Sequence, residues 1–338
     1  MNKIMFSILR VLDRQADAVG SSELAEELLS HGIELSERTV RYYLKLLDER
    51  GLTEVCGKRG RTITARGREE IENAFVSDRL NFIISRIDSL AYLTNFNVDD
   101  MRGKAILNIS FFPEKRLRDA LRVMLPVFNS PYVMSDRIVL ARGGERIGDV
   151  RVPEETVGIG TVCSITLNGI FLKAGIPVAS RYGGVVEIRE GELTRFTSLI
   201  GYEGSSLDPL EIFIRSRMTD VLSLFRGGSG SVLGSFREIP VVSLREAENL
   251  REKMARRGMG GRIVFGKPNQ PLLDIPVGAD RVGMIVAGGL NPVAAAHESG
   301  IQTETAAMST LYEYGALMRF NDAVSAHLYQ ESRPTLVR

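Results

Sequence analysis

The stretch SERTVRYYLKLLDERGLTEVCGKRGRTITA (residues 36–65) decides the N-terminal fold, because it reads as a helix, a stop and a cationic hairpin in succession. Ser36 is placed to cap a helix from Glu37 to Arg50, and Gly51 closes it. Val40, Leu44 and Leu47 recur on one face of that helix, while Arg38, Arg41, Tyr42 and Lys45 fall on the other. Leu52–Val55 and Arg61–Ala65 then read as short strands joined by Cys56-Gly-Lys-Arg-Gly60, a loop cationic at Lys58, Arg59 and Arg61. Upstream, Ile4, Ile8, Val11 and Leu12 give an amphipathic helix over residues 3–15. Ser21 is a candidate N-cap for a second helix carrying Leu24, Ala25, Leu28 and Leu29, which Gly32 ends. The second and third helices have the spacing of a helix-turn-helix, and the hairpin is its wing.

Charge supports that reading. Residues 38–68 hold nine Lys and Arg against three Asp and Glu, whereas residues 1–37 hold three against seven. A field concentrated on the third helix and the wing is what binding to a phosphate backbone requires. Arg38, Thr39, Arg41 and Tyr42, near the start of the helix, are the candidates for base edges; Lys45, Lys58, Arg59 and Arg61 are the candidates for phosphates. A merely solvated helix face is the alternative for the helix cations taken alone. The basic hairpin beside them favours double-stranded DNA.

Working outward, residues 69–94 read as one long helix with Ile71, Phe75, Leu80, Ile83, Ile84, Ile87, Leu90 and Ala91 mostly three or four apart. Packing on the next domain and pairing with a second copy of the chain both remain open for that stripe. The whole chain has 338 residues, 44% hydrophobic and 25% charged, with a formal net charge of +1. That length implies two or three domains, and the near-zero charge confines any nucleic-acid affinity to a local patch. Two cysteines, Cys56 and Cys163, exclude a disulfide framework, and three histidines leave little for a histidine metal centre. No apolar run of about 18 residues is present. The N-terminus reaches Arg10 and Asp13 too soon for a signal peptide. A cytoplasmic protein with no membrane partner and no cofactor is expected.

The rest of the chain repeats itself. Arg137-Ile-Val139 returns as Arg262-Ile-Val264 and Gly175-Ile176 as Gly300-Ile301, both 125 residues later. Pro153, Gly160 and Leu167-Asn168 match Pro276, Gly283 and Leu290-Asn291 at 123, and Gly191-x-Leu193-x-Arg195-Phe196 matches Gly315-x-Leu317-x-Arg319-Phe320 at 124. Each copy shows an early helix (about 114–125 and 244–257), strands, and a helix after Leu-Asn. The expected organisation is a winged helix at 1–70, a connector or dimerisation helix at 71–103, lobes of an α/β or α+β effector domain at 104–226 and 227–330, and a tail at 331–338. Arg226-Gly-Gly-Ser-Gly-Ser-Val-Leu-Gly234 reads as a hinge between the lobes, and two lobes across a hinge form a cleft for a small ligand.

Candidate cleft residues are Cys163, Ser164, Thr166 and Asn168 in the glycine-rich segment, Asn291 in its counterpart, Arg181 beside Gly183-Gly184, and Ser205 and Ser206 before the helix start at Asp208-Pro209. Helix N-termini with a nearby cation suit a small acidic metabolite, although turn and cap chemistry explains the same residues. Cys163 sits in an apolar run with no histidine in its repeat and with Val286 as its counterpart, which argues against a Cys-His nucleophile. His297-Glu298 lacks the second histidine of a zinc-protease helix. Three functions compete: a ligand-regulated DNA-binding protein, a small-carboxylate enzyme with a regulatory winged helix, and a ligand-free dimerisation module.

The runs GTVCSITLNGIFLKAGIPVASRYGGVVEI (160–188), RFTSLIGYEGSSLDPLEIFI (195–214) and GMIVAGGLNPVAAAHESGI (283–301) resemble the NrpR family of nitrogen-responsive repressors. The resemblance covers residues 1–325. It implies a non-enzymatic repressor of nitrogen-assimilation genes whose effector domain senses 2-oxoglutarate through the Cys-Ser-x-Thr-Leu-Asn segment, here Cys163, Ser164, Thr166, Leu167 and Asn168. Well-known members carry two effector domains behind one winged helix. This chain has one, itself duplicated, and a homodimer would restore two.

Overall fold

A computed structural model describes residues 3–15, 17–72 and 82–329. The chain divides into two compact units, Met1–Leu80 and Asn81–Arg338.

In the first unit, helices Lys3–Arg14, Ser21–Ser30 and Glu37–Glu49 enclose a core of Ile8, Leu9, Leu24, Leu28, Val40, Leu44 and Leu47. Strands β1 (Thr53–Val55) and β2 (Arg61–Ile63) form the wing in antiparallel register, and Val19 bridges to Arg61 on the far edge. Gly60 has φ +120°, and a Cβ there would stand 2.0 Å from the Val19 carbonyl oxygen, so only glycine lets the wing close against that segment. Ser36 caps the third helix as expected, accepting the Thr39 N–H at 3.2 Å. Ser21 does not cap the second. Gly20 is the N-cap, and the Ser21 hydroxyl donates to Glu37 Oε1 at 2.9 Å, locking the second helix to the third.

The helix expected over 69–94 is described as two pieces, Ala65–Glu72 in the first unit and Phe82–Leu93 in the second. Phe75 and Leu80, like the tail at 331–338, lie outside the described residues. Its apolar stripe is divided between two cores. Ile71 packs into the first, and Ile83, Ile87 and Ala91 are buried in the second.

The second unit carries β3 (Lys104–Pro113), β4 (Arg137–Arg142), β5 (Arg146–Ile147), β6 (Val150–Arg151), β7 (Thr156–Val162), β8 (Ala179–Arg189), β9 (Glu192–Gly201), β10 (Gly230–Pro240), β11 (Arg262–Phe265), β12 (Arg281–Ala287), β13 (Glu304–Glu313) and β14 (Met318–Arg319). Two five-stranded sheets result, ordered β13-β3-β7-β4-β14 and β11-β12-β10-β8-β9. Every described strand pair is antiparallel, so of the two expected classes the architecture is α+β.

The repeat is real, but its halves do not fold as separate lobes. Strand β8 of the first repeat pairs with β10 of the second, and β13 of the second pairs with β3 of the first. Each sheet is therefore completed by the other repeat. The segment read as a hinge is packed over its second half: residues 226–229 are exposed, but Gly230 opens the central strand β10, a Cβ on it would lie 2.3 Å from the Asp220 oxygen, and Val232 and Leu233 are fully buried. Gly230 and Gly234 allow close approach, whereas Gly228, at φ +75°, ends the Val221–Gly227 helix.

Strand pairing also fixes the offset of the repeat, at 127 residues between β3 and β10 and at 125 between β7 and β12. Gly158 pairs with Phe111 in β3 and Gly283 with Glu238 in β10, and β7 and β12 have equal length, so Gly283 corresponds to Gly158, not Gly160. By the same shift, Cys163 corresponds to Gly288 rather than Val286, and Thr166 rather than Asn168 corresponds to Asn291. Their bonds agree. Thr166 Oγ1 accepts from Ile106 N at 3.1 Å, and Asn291 Oδ1 accepts from Leu233 N at 2.7 Å, each tying a helix start to the middle strand of its own repeat.

Candidate functional site

On the first unit, Arg38, Arg41, Tyr42 and Lys45 are exposed along the third helix, with Tyr42 60% accessible and edge-on to Tyr43. Arg41 is oriented before any ligand arrives: its guanidinium donates to Glu37 Oε1 at 2.5 Å and to Ser21 Oγ at 3.1 Å. Hydrogen bonds from Ser21 and then Arg41 hold the Glu37 carboxyl below its ordinary range. Lys45 stands 4.0 Å from Glu49, an exposed pair of little energetic weight. Thr39 shares a 2.8 Å hydroxyl contact with Ser36, so it belongs to the cap as well as to the exposed turn. Arg59 is exposed in the wing, and Lys58 sits in the same turn with its side chain outside the description. Arg61 is placed differently from the expectation. It turns inward onto Asp48 at 2.8 Å, and Thr53 bonds the other Asp48 oxygen at 2.6 Å, so Arg61 fastens the wing to the third helix.

In the second unit, the turns leading into the Ile165–Lys173 and Asn291–Glu298 helices meet. Cys163, Ser164 and Ile165 from one, and Gly289 and Leu290 from the other, line a small cavity with Asn108 (β3), Tyr202, Asp208, Leu210, Ala307 and Met308. Its volume is about 10 Å³, room for at most one water. Gly289 has φ +75°, and a Cβ there would come within 3.8 Å of Ser164 N and 3.7 Å of the Asn108 amide nitrogen, so two helix N-termini face one small space. Thr161, the cross-strand neighbour of Asn108, carries a buried hydroxyl without a hydrogen-bond partner.

Behind Ser164 lies the principal charge of the unit. Arg237 is fully buried, and its guanidinium donates to Ser164 Oγ at 2.7 Å, Ser164 O at 3.0 Å, Asn168 Oδ1 at 2.5 Å and Ser235 Oγ at 3.1 Å. Every one of these acceptors is neutral. Asn168 in turn donates to Ser180 at 3.0 Å. Burial lowers the Arg237 pKa. A buried cation held by neutral groups is an electrostatic setting that an anion would improve.

The other expected site residues separate. Thr166 and Asn291 are occupied with backbone: Asn291 also donates to Tyr132 O and Leu233 O. Arg181 pairs with Glu238 at 2.7 Å and lines a different groove with Asp88, Ser180, Tyr182 and Glu203. Ser205 donates to Gly201 O within its turn, and Ser206 is half-buried in the same turn. Cys163 is buried and its thiol is pushed up to about 12 by desolvation, which removes the thiolate a nucleophile needs. Sequence reasoning missed Arg237, Asn108 and Tyr202, and assigned Asp208 only to its cap. The signal for Arg237 was present: Arg237-Glu238 interrupts an otherwise uncharged strand, GSVLGSFREIP (230–240).

A winged helix with its cations on one helix and one hairpin, joined to a duplicated α+β unit with a buried cation beside a small cavity, defines a class: a DNA-binding regulator with an effector domain. Comparison with known proteins agrees in both parts. The model of the ribonuclease R winged-helix domain matches residues 6–71, and that of the NrpR regulatory domains NRD1 and 2 matches residues 80–319. The chain belongs to the NrpR family, a family of regulators rather than enzymes. It is 35% identical over 310 residues to the global nitrogen regulator NrpRI of Methanosarcina mazei, covering 92% of this chain and 95% of that one. It is 31% identical to the global nitrogen regulator NrpR of Methanococcus maripaludis and 32% identical to that of Methanocaldococcus jannaschii, spanning 94% of this chain but 55% of each of theirs. A crystal structure of a nitrogen repressor-like protein from Methanococcus jannaschii superposes with a TM-score of 0.60 at 29% identity, covering 70% of this chain and 98% of that one. Among the described residues no helix is long and apolar enough to cross a membrane.

Proposed function

We propose that this chain is a homodimeric repressor of nitrogen-assimilation genes that holds operator DNA with its winged helix and releases it when 2-oxoglutarate enters the cavity at Cys163–Ser164. The observation that carries the effector reading is Arg237: a fully buried guanidinium with neutral acceptors, bonded to the very serine that lines the cavity. A dicarboxylate reaching Ser164 would find there a cation and two helix N-termini among largely buried side chains.

The cavity is too small for the ligand as it stands, so binding favours an expanded state over the closed one. The wall at Ala307–Met308 is a bulge whose backbone is held by side chains: Glu211 accepts from Ala307 N, Asn108 accepts from Met308 N, and Arg86 donates to Met308 O at 3.0 and 2.7 Å. Arg86 lies on the Phe82–Leu93 helix, the element nearest in sequence to the DNA-reading unit. Expansion of the cavity therefore acts on that helix directly. In a dimer, the spacing of two winged helices must match two half-sites, and a change at the connector alters that match.

The test is a titration of labelled duplex carrying nitrogen-gene promoter sequence, with and without 2-oxoglutarate. The effector should weaken binding at least tenfold. Unchanged affinity would remove the metabolite from the reading, and no binding to any duplex at low salt would remove the repressor itself.

A further inference from the structure

The cavity contains, beside its neutral groups, one carboxyl among the described residues. Asp208 is 7% exposed, and its Oδ1 accepts from Leu210 N at 2.8 Å and Glu211 N at 3.4 Å, capping the Pro209–Arg215 helix. It shares the cavity with Cys163, Ser164, Tyr202 and Asn108. The charged and titratable groups that face Asp208 are Glu211 on its own helix, Arg86 on the Phe82–Leu93 helix, Cys163 before the Ile165–Lys173 helix, and Tyr202 after β9. Arg237 faces Cys163 and Tyr202 from β10.

An acidic ligand drawn towards Arg237 must come close to this carboxyl. Two ionised carboxylates in a dry cavity repel strongly, whereas a neutral carboxyl donates a hydrogen bond to an ionised one. We infer that Asp208 binds the acidic effector as a neutral carboxyl, donating its proton in a hydrogen bond to a ligand carboxylate oxygen. This rests on the effector reading above and adds proton uptake to it. A molecule that finds Asp208 ionised takes one proton from solvent on binding the dianion, and one that finds it neutral takes none.

Geometry and protonation agree. Desolvation first, and the nearby Glu211 charge second, push the Asp208 carboxyl up to about 7. Affinity is then level below that pH and weakens about tenfold per unit above it.

The experiment is calorimetric titration of 2-oxoglutarate into the full chain between about pH 6 and about pH 8.5, in buffers of different ionisation enthalpy, a range in which the ligand stays a dianion. Expected is a dissociation constant that rises about fivefold from pH 7 to pH 8 and approaches tenfold per unit above that, with close to one proton taken up at the upper end. Asp208→Asn keeps a good N-cap and should give a level profile with no proton uptake. Glu211→Gln keeps the acceptor for Ala307 N, and should move the break in the profile to lower pH by removing a neighbouring charge. Binding by the native chain that is independent of pH overturns the role of Asp208 and leaves the effector reading intact. A slope that survives in Asp208→Asn does the same. No binding at any pH overturns the effector reading and this inference together. Should Asp208→Asn fail to fold, the native profile and its displacement in Glu211→Gln still decide.

Discussion

The two repeats share a register and differ in polarity. At one helix start stand Cys163, Ser164, Thr166 and Asn168; at the other, 125 residues on, stand Gly288, Gly289, Asn291 and Val293. On the middle strands, Arg237 lies across from Ser180, and their equivalents, Ser110 and Thr305, bond each other at 3.0 Å. Backbone work is done alike in both copies, by Thr166 on Ile106 and by Asn291 on Leu233. Charge appears in one copy alone. A buried cation needs a surrounding shell of acceptors, and Ser164, Asn168 and Ser235 supply it only there. Duplication provided the scaffold twice, and the site was built at one of the two positions.

That contrast can be broken by paired substitutions. Arg237→Ala strips Ser164 and Asn168 of their donor and leaves a void, so it should cost about 3–5 kcal/mol in urea unfolding of the full chain, followed through the transition of the second unit. Ser110→Ala loses one neutral hydrogen bond and should cost about 1 kcal/mol. Equal losses would show that the two positions are equivalent after all.

The helices that follow sharpen the comparison at smaller scale. A Cβ on Gly169 would lie 1.9 Å from Thr94 Cγ2 and 2.9 Å from the Ala91 oxygen, because the Phe82–Leu93 helix packs directly on this turn. Gly169→Ala should cost about 1–3 kcal/mol by overpacking. Its counterpart Ala294→Gly should cost about 1 kcal/mol, through helix propensity.

Asp208 adds a dependence on pH that needs no ligand. Its carboxyl titrates at about 7 in the folded chain against an ordinary value of 3.8, so between those limits the folded state holds the extra proton. The contribution to stability is complete below about pH 4 and is lost as pH rises through about 7. Melting of Asp208→Asn should lack that part of the slope.

The smallest effects lie in the winged helix, where two arginines of the same wing should part company. Arg59→Ala should reduce the slope of log affinity against log salt by about one phosphate contact. Arg61→Ala should act chiefly on stability, by about 0.5–1.5 kcal/mol, because its partner is Asp48.

Much of the N-terminal unit was legible because its signals are local. Ser36 caps within one turn, Val40, Leu44 and Leu47 share a face by helical period, and the wing is bounded by glycines. Ser21 was misread because its hydroxyl bonds a residue sixteen positions away, a partner no local pattern names. In the effector unit, Cys163 and Ser164 were found from their glycine-rich setting. Arg237 was not, because what makes it unusual is its burial among neutral acceptors, two of them from a segment about 70 residues away.

The sequence by itself determined the winged helix, the placing of its cations and the existence of a duplication, since periodicity, capping and repetition are properties of order along a chain. Tertiary structure decided that the repeats exchange strands β8 and β13, that the glycine-rich joint runs into the packed opening of a central strand, and that Arg237 is bonded to a serine lining the same cavity as Asp208. Pairing partners and burial are set by which segments exclude water from one another, and that depends on distance in space.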